Sequence, residues 1–274
     1  MFRNLINLTQ SQYNMNLKIK INMLKRMRRN INNYLRNKTV QKNLNNYNPD
    51  NNNINYLLIF ACHCDSEIKL NTIRNNLNYF NFDSIKILLI NSIGLKYNAD
   101  VQHICEMYKN VSYMEIDNDK TYDFGKWIYG LNNIDYNNYN FTIFTNDSFI
   151  IHSPINHFCN LLQKNNCELY GYNDSTQQKY HYQSYLFAIR KDAINKFIYK
   201  FNVKKHTIKN QEDVIKEYEI DMVNWFNKNN CFLTIGKMPI NRGLNIFFTN
   251  DKLYEKLKKQ NLLPFTKIKR ITNH

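Results

Sequence analysis

Four short apolar runs separated by three stretches of helical periodicity, all between Tyr56 and Thr145, constrain this chain more than any other feature. Tyr56–Cys62 is strand-like, and Glu67–Phe80 is helical with Ile68, Ile73, Leu77 and Phe80 on one side. Ser84–Ile90 reads as a second strand, Ala99–Lys109 as a helix, Val111–Ile116 as a third strand, Phe124–Leu131 as a short helix and Phe141–Thr145 as a fourth strand. Strands alternating with helices of this length build right-handed βαβ units and a mainly parallel sheet.

The second half is less regular. Ile155–Lys164 looks helical, Glu168–Tyr172 and Tyr185–Arg190 look like strands, and Lys191–Phe201 and Asp213–Asn227 look like helices. Cys231–Ile235 reads as a last strand. No internal repeat is present. Residues 1–55 differ from the rest: Met15–Leu35 has helical periodicity with a cationic cluster, Lys25, Arg26, Arg28 and Arg29, and Asn-rich flanks follow. This segment could contact a membrane surface peripherally, or serve as a packing helix or a loosely ordered arm. The expected organisation is a basic, Asn-rich helix or arm over 1–55 and an α/β domain over 56–274. Its first half covers about 56–150, its second about 151–250, and an appendage 251–274.

The strand ends carry the chemistry. The first strand ends in His63-Cys64-Asp65-Ser66, the second in Asn91-Ser92, the third in Asp117-Asn118-Asp119 and the fourth in Asn146-Asp147-Ser148. In a parallel sheet all four ends face one edge, where open α/β sheets bind their ligands. One such triplet is as readily a turn as a site, because Asn, Asp and Ser are good turn residues. Four on one rim describe a cleft for a polar, hydroxyl-rich or phosphorylated ligand.

Composition narrows the chemistry. The formal charge of +15 ordinarily points to nucleic acid or an anionic surface. Here abundant Asn, Lys, Ile and Tyr, with only 6 Gly and 4 Pro, are the bias of an AT-rich genome, so the charge argues weakly. Neither G-x-G-x-x-G nor G-x-x-x-x-G-K-[ST] occurs, so a bound phosphate must be neutralised by a cation or side chains. The 6 cysteines are scattered, no secretory signal precedes them, and reduced thiols in the cytoplasm are expected. Cys62-His63-Cys64 lacks a second pair at zinc-finger spacing. No apolar run is long enough to span a bilayer.

Further candidates lie between the elements. Asp123, in Tyr122-Asp-Phe-Gly-Lys-Trp127, is placed to cap a helix N-terminus, with Gly125 and Lys126 beside an anion-favouring helix end. His181-Tyr-Gln-Ser-Tyr185 enters an apolar strand with groups able to orient a sugar or to close a hydrogen-bonded loop. Glu217, Glu219 and Asp221 are either the solvated side of a helix or the source of a general base.

Taken in order, several motifs resemble the rhamnan synthesis F family of glycosyltransferases. They are Tyr122-Asp-Phe-Gly-Lys-Trp127 with Gly130-Leu131, Phe144-Thr-Asn-Asp-Ser148 with Ser153-Pro154, and His181-Tyr-Gln-Ser-Tyr-Leu-Phe187. Tyr218-Glu219-Ile220 and Leu263-Pro-Phe-Thr-Lys267 resemble its later blocks. The composition also resembles that of giant DNA virus proteins. The resemblance implies a GT-A-like, Rossmann-type α/β/α sandwich with a mainly parallel sheet, a UDP-, GDP- or dTDP-sugar donor, and a glycan acceptor. It places Asn146-Asp147-Ser148 where such enzymes carry D-x-D, with Asp147 as ligand of a divalent cation, Mn²⁺ or Mg²⁺. With one acid instead of two, Lys126 or another cation could substitute. The implied donor contacts are Cys62, His63, Asp65, Asn91 and Ser92 to the nucleoside. Asp123 and Lys126 then face the ribose or diphosphate, and Asn146, Asp147 and Ser148 the phosphates. His181 is placed with the catalytic groups, and Gln183 and Ser184 with the acceptor. Glu219 is the first choice for catalytic base and Asp221 the second.

Two other classes remain open from sequence. A polyanion-binding protein would use the basic residues between 18 and 42, although no nucleic-acid motif is present and the leading reading includes no such partner. A catalytically inactive GT-A-like module would bind sugar nucleotides without transfer.

Overall fold

The computed structural model describes residues 55–163, 167–175, 178–226 and 265–268. The expected helix at 15–35 and strand at 231–235 lie outside them. The elements β1 (Tyr56–Ala61), α1 (Glu67–Phe80), β2 (Ile85–Ser92), α2 (Asn98–Glu106), β3 (Val111–Ile116), α3 (Tyr122–Asn133) and β4 (Phe141–Asn146) alternate as the sequence predicts. There follow β5 (Phe149–Ile151), α4 (Asn156–Gln163), β6 (Leu169–Gly171), β7 (Asp174–Ser175), β8 (His181–Tyr182), β9 (Leu186–Arg190) and α5 (Ile194–Lys205).

The last expected helix is broken into α6 (Gln211–Val214), a π-helical turn at Ile215–Ile220, and α7 (Met222–Trp225). A short β10 (Phe265–Lys267) pairs antiparallel with β5, Phe265 opposite Ile151 and Lys267 opposite Phe149. No described helix is long and apolar enough to cross a membrane.

The main sheet has the order β3-β2-β1-β4-β9-β6. β1 to β4 are parallel, whereas β9 runs antiparallel to both β4 and β6. The fold is thus mixed α/β with a mainly parallel central sheet. Period-2 alternation sends the two faces of β1 into different cores. Tyr56, Leu58 and Phe60 join α1, α2 and α4 residues such as Ile73, Ile104 and Phe158. Leu57, Ile59 and Ala61 join Trp127, Phe197 and Tyr218 on the other side. Helices therefore cover both faces, which is why β1 reads as a continuous apolar run rather than an alternating one.

α3 sits close on the sheet because Gly130 has no side chain. A Cβ there would stand 2.8 Å from Ile90 Cδ1 and 2.9 Å from Ile59 Cγ2. Trp127 pins the same helix: it is fully buried and its Nε1–H donates to the Thr145 carbonyl at 3.0 Å. The register of α3 against β4 is fixed by these contacts, and with it the placing of Asp123 beside Asn146.

Cys62, Cys64, Cys105 and Cys159 are free and buried, as expected for reduced thiols. Cys167 is a correction to that expectation, being disulfide-bonded.

Candidate functional site

The parallel register brings the polar ends of β1 and β4 side by side, with Ala61 opposite Asn146. The two ends are tied together. His63 N–H donates to Asp147 Oδ2 at 2.8 Å, so Asp147 holds the turn that follows β1. Asn146 accepts from the Ser148 amide at 3.1 Å and from its hydroxyl at 2.6 Å, closing a side-chain turn. The Asn146 amide donates to Asp123 Oδ2 at 2.8 Å. The triplet is both a turn and part of a cleft.

Asp123 does not cap α3, against the sequence expectation. Thr121 occupies the N-cap position and Tyr122 turns the backbone with φ 52°, an uncommon value for a side chain of this size. Asp123 thereby stands inside the first turn with its carboxylate aimed at Asn146. Burial, and then the nearby Asp147 charge, raise this carboxyl to about 6. Three residues on, Lys126 is almost wholly buried, and its ammonium donates to Asn118 Oδ1 at 2.9 Å.

Lys69, on the first turn of α1, is a site residue that sequence reasoning missed. Its ammonium donates to the His63 carbonyl at 2.7 Å and stands 3.5 Å from Asp65 and 3.8 Å from Asp147. The available signal was its spacing four residues after Asp65, at the start of a helix that follows a strand end. Lys267, on β10, is the second omission. Its ammonium lies 3.3 Å from Ser148 Oγ and 3.5 Å above the centre of the Tyr185 ring. Burial and the Lys69 and Lys126 charges hold His63 below its usual range, favouring the neutral imidazole.

The opposite wall comes from β8, the loop after it, and the π-helical turn. Ser184 Oγ donates to Glu219 Oε2 at 2.9 Å, and Gln183 Nε2 to Glu219 Oε1 at 3.4 Å. His181 Nδ1 lies 2.8 Å from the Lys179 carbonyl, which can only accept, so Nδ1 carries the proton. Its Nε2 then accepts from Gln183 at 3.1 Å and stands 3.8 Å from Glu219 Oε1. The widened turn at Ile215–Ile220 puts Glu219 on the cleft while Tyr218 stays in the core.

These walls enclose a cleft of about 640 Å³. Of the residues expected at a site, His63, Asp123, Lys126, Asn146, Asp147, Ser148, His181, Gln183, Ser184 and Glu219 line it. The others do not. Cys62 is fully buried with its thiol towards the Phe60 carbonyl, and burial pushes that thiol far up. Asn91 is buried and braces the loop, accepting from Cys64 N–H at 3.1 Å and donating to Asn98 at 3.0 Å. Ser92 is buried against His63 Nδ1 at 2.8 Å. Asp65 points to solvent beside Lys69. Asp221 is turned away: it and Glu217 take the Lys204 ammonium, at 2.7 and 2.8 Å.

No three His, Cys, Asp or Glu side chains gather as a cation site among the described residues. The donor set at Asp147 does not fit a protein-held divalent ion. Its one carboxylate is engaged by the His63 amide and by Lys69, whose positive charge would oppose a cation placed there.

No family model matches the chain. It is similar to the virulence protein VirA of Vibrio anguillarum, 31% identical over 154 residues, which are 54% of this chain and 47% of that protein. The chain spans about half the length of the curated relatives it matches. Among solved structures it is similar to the bifunctional glycosyltransferase WbbM (12% identity, 81% of this chain, 46% of that chain, TM-score 0.46). It is also similar to the glycosyltransferase GlyE of Streptococcus pneumoniae TIGR4 (10%, 79%, 54%, 0.45). A third likeness is to 4-diphosphocytidyl-2C-methyl-D-erythritol synthase of Anaerococcus prevotii (11%, 76%, 96%, 0.47). Identities and scores of this size assign no activity.

Proposed function

We propose that this chain is a GT-A-type glycosyltransferase that moves a hexosyl or deoxyhexosyl unit from a UDP-, GDP- or dTDP-sugar to a glycan acceptor. One observation carries the proposal: the acid- and lysine-bearing ends of parallel strands face, across one cleft, a carboxylate held by a hydroxyl and an amide. The first wall suits the charged donor and the second suits a sugar hydroxyl. The motif order resembling the rhamnan synthesis F family supports the same reading.

In this reading Asp123, Lys126 and the Asn146-Asp147-Ser148 turn face the ribose and diphosphate. Gln183 and Ser184 orient the acceptor through the groups they leave to it. Glu219 Oε1 takes the proton of the attacking hydroxyl as that oxygen bonds to the sugar C1. The bond from C1 to the diphosphate oxygen breaks, and its electron pair leaves with the nucleoside diphosphate. His181, with its proton on Nδ1, keeps a lone pair rather than a charge towards Glu219, so the base remains available. The Mn²⁺ or Mg²⁺ expected at Asp147 has no donor set to match it, and no step here depends on one.

Thermal melts of the full chain with UDP-, GDP- and dTDP-sugars test the proposal, because a donor that binds the folded state raises its melting temperature. Hits are then offered with a panel of saccharides, and transfer is followed by mass. Failure of every donor to shift the melt would overturn the reading, and binding without transfer would leave a sugar-nucleotide-binding module.

A further inference from the structure

We infer that three lysines, Lys69, Lys126 and Lys267, hold the diphosphate of the donor, so that donor binding needs no divalent cation. The inference rests on the glycosyltransferase reading for the identity of the ligand, and on the lysines themselves for its chemistry.

The three come from α1, α3 and β10 and line the same cleft around Asp147. Lys126 is the most telling. It is 2% exposed, its hydrogen-bond partner is the neutral Asn118, and it forms no ion pair with a carboxylate among the described residues. A buried ammonium is costly unless a counter-charge meets it. Asp123 is close enough to be held down by Lys126, but burial and Asp147 dominate that carboxyl and raise it. The cleft therefore offers an ammonium an incomplete counter-ion, which a bound anion completes.

Lys69 and Lys267 stand on either side of the Asn146-Asp147-Ser148 turn. Lys69 is fixed by the His63 carbonyl and lies 3.8 Å from Asp147. Lys267 is fixed over the Tyr185 ring, beside Ser148 Oγ at 3.3 Å. Both are positioned by neutral oxygens and a ring face, which direct an ammonium without cancelling its charge. Asp147 in this arrangement anchors the His63 turn and Lys69. It does so in the place where a cation ligand was expected.

Ammonium groups already in position stabilise the negative charge that develops as C1 separates from the diphosphate, the task a metal would otherwise perform. The group shortage noted at the strand turns has the same consequence: without a glycine-rich nest, side-chain cations are what remains to meet phosphate oxygens.

Isothermal titration of the full chain with UDP, GDP, dTDP and inorganic pyrophosphate, in excess EDTA and again with Mn²⁺, tests the inference. At least one nucleoside diphosphate is expected to bind in EDTA within about threefold of its affinity with Mn²⁺. Lys69→Met and Lys267→Met should each weaken it by about tenfold, the scale of one lost charge-assisted hydrogen bond. Lys126→Met should weaken it further, and melts report whether this buried variant still folds. Binding that requires Mn²⁺, or that survives Lys69→Met and Lys267→Met unchanged, would overturn the inference while leaving the glycosyltransferase reading in place. Lysine-dependent diphosphate binding without transfer from any donor would do the reverse. Absence of nucleoside diphosphate binding under both conditions would remove both.

Discussion

Ser184 Oγ donates to Glu219 Oε2 at 2.9 Å across 35 residues of sequence, so a loop after β8 sets the direction of a carboxylate on a distant helical turn. The other oxygen faces Gln183 and His181, and the pair defines which lone pairs of Glu219 are left for an acceptor. Glu219→Gln keeps the shape and most of the hydrogen bonding but removes the base. Its kcat for transfer should fall about a thousandfold, with donor affinity held, as measured by initial rates and titration. Ser184→Ala should lower kcat less and leave the pH profile of the remaining activity in place. An unchanged kcat in Glu219→Gln would exclude it as the base.

Asp147→Ala should abolish transfer and leave the fold standing. The variant strands the His63 amide and loosens Lys69, which costs about 1–3 kcal/mol and a fall of several degrees in melting temperature. Far-UV circular dichroism should be unchanged. Wild-type turnover by this variant would remove Asp147 from the site.

Asp123 gives the fold a pH dependence of definite sign. Its carboxyl rises from the usual 3.8 to about 6, so between those values the folded state binds the proton that the unfolded chain has released. Its contribution to stability therefore falls as pH rises from about 4 to about 6 and is level above that. Asp123→Asn removes the buried charge while keeping an acceptor for Asn146. It should melt higher than wild type at pH 8, by on the order of 1 kcal/mol. The difference should shrink as pH falls through the region where wild type neutralises itself. A pH-independent difference between the two would show that burial of the charge is not the cause.

Trp127→Ala empties the space where α3, β4 and β9 meet. Trp127 lies edge-on to Phe144 and to Phe187, at centroid distances of 5.8 and 5.2 Å, and donates to a buried carbonyl. The loss should be about 3–5 kcal/mol, read from the midpoint of urea unfolding. It should also lower donor affinity, because α3 carries Asp123 and Lys126.

The parallel half of the fold was legible because each strand is buried on both faces and ends in polar residues, and both signals are local. Strand direction is not local. Leu186–Ile189 is buried on every side and reads the same either way, so nothing in Leu186–Arg190 announces that β9 runs against β4. The π-helical turn was read as part of an ordinary helix, since Val214, Tyr218 and Met222 keep a helical spacing on the core side. Hence Glu219 and Asp221 looked equivalent in sequence, though one faces the cleft and the other Lys204. Polar strand ends located the rim but could not separate lining from bracing. Asn91 and Ser92 fall within β2, which extends through Ser92, and they spend their hydrogen bonds on neighbours. Lys69 and Lys267 were missed because a lysine on a helix or a short terminal strand is ordinarily solvated, and only tertiary structure brings these two to Asp147 and Ser148.

The pairing of β10 with β5 sets an order on how the site comes into being. Ser148 and Lys267 are 119 residues apart, and the strand bearing the lysine is among the last described parts of the chain. During synthesis the parallel strands and both cores can form while the ribosome is still adding residues, leaving a folded molecule whose cleft lacks one of its cations. A chain cut short before Phe265 should then be a well-folded but charge-deficient protein, and completion of the cleft would be the closing event of its manufacture.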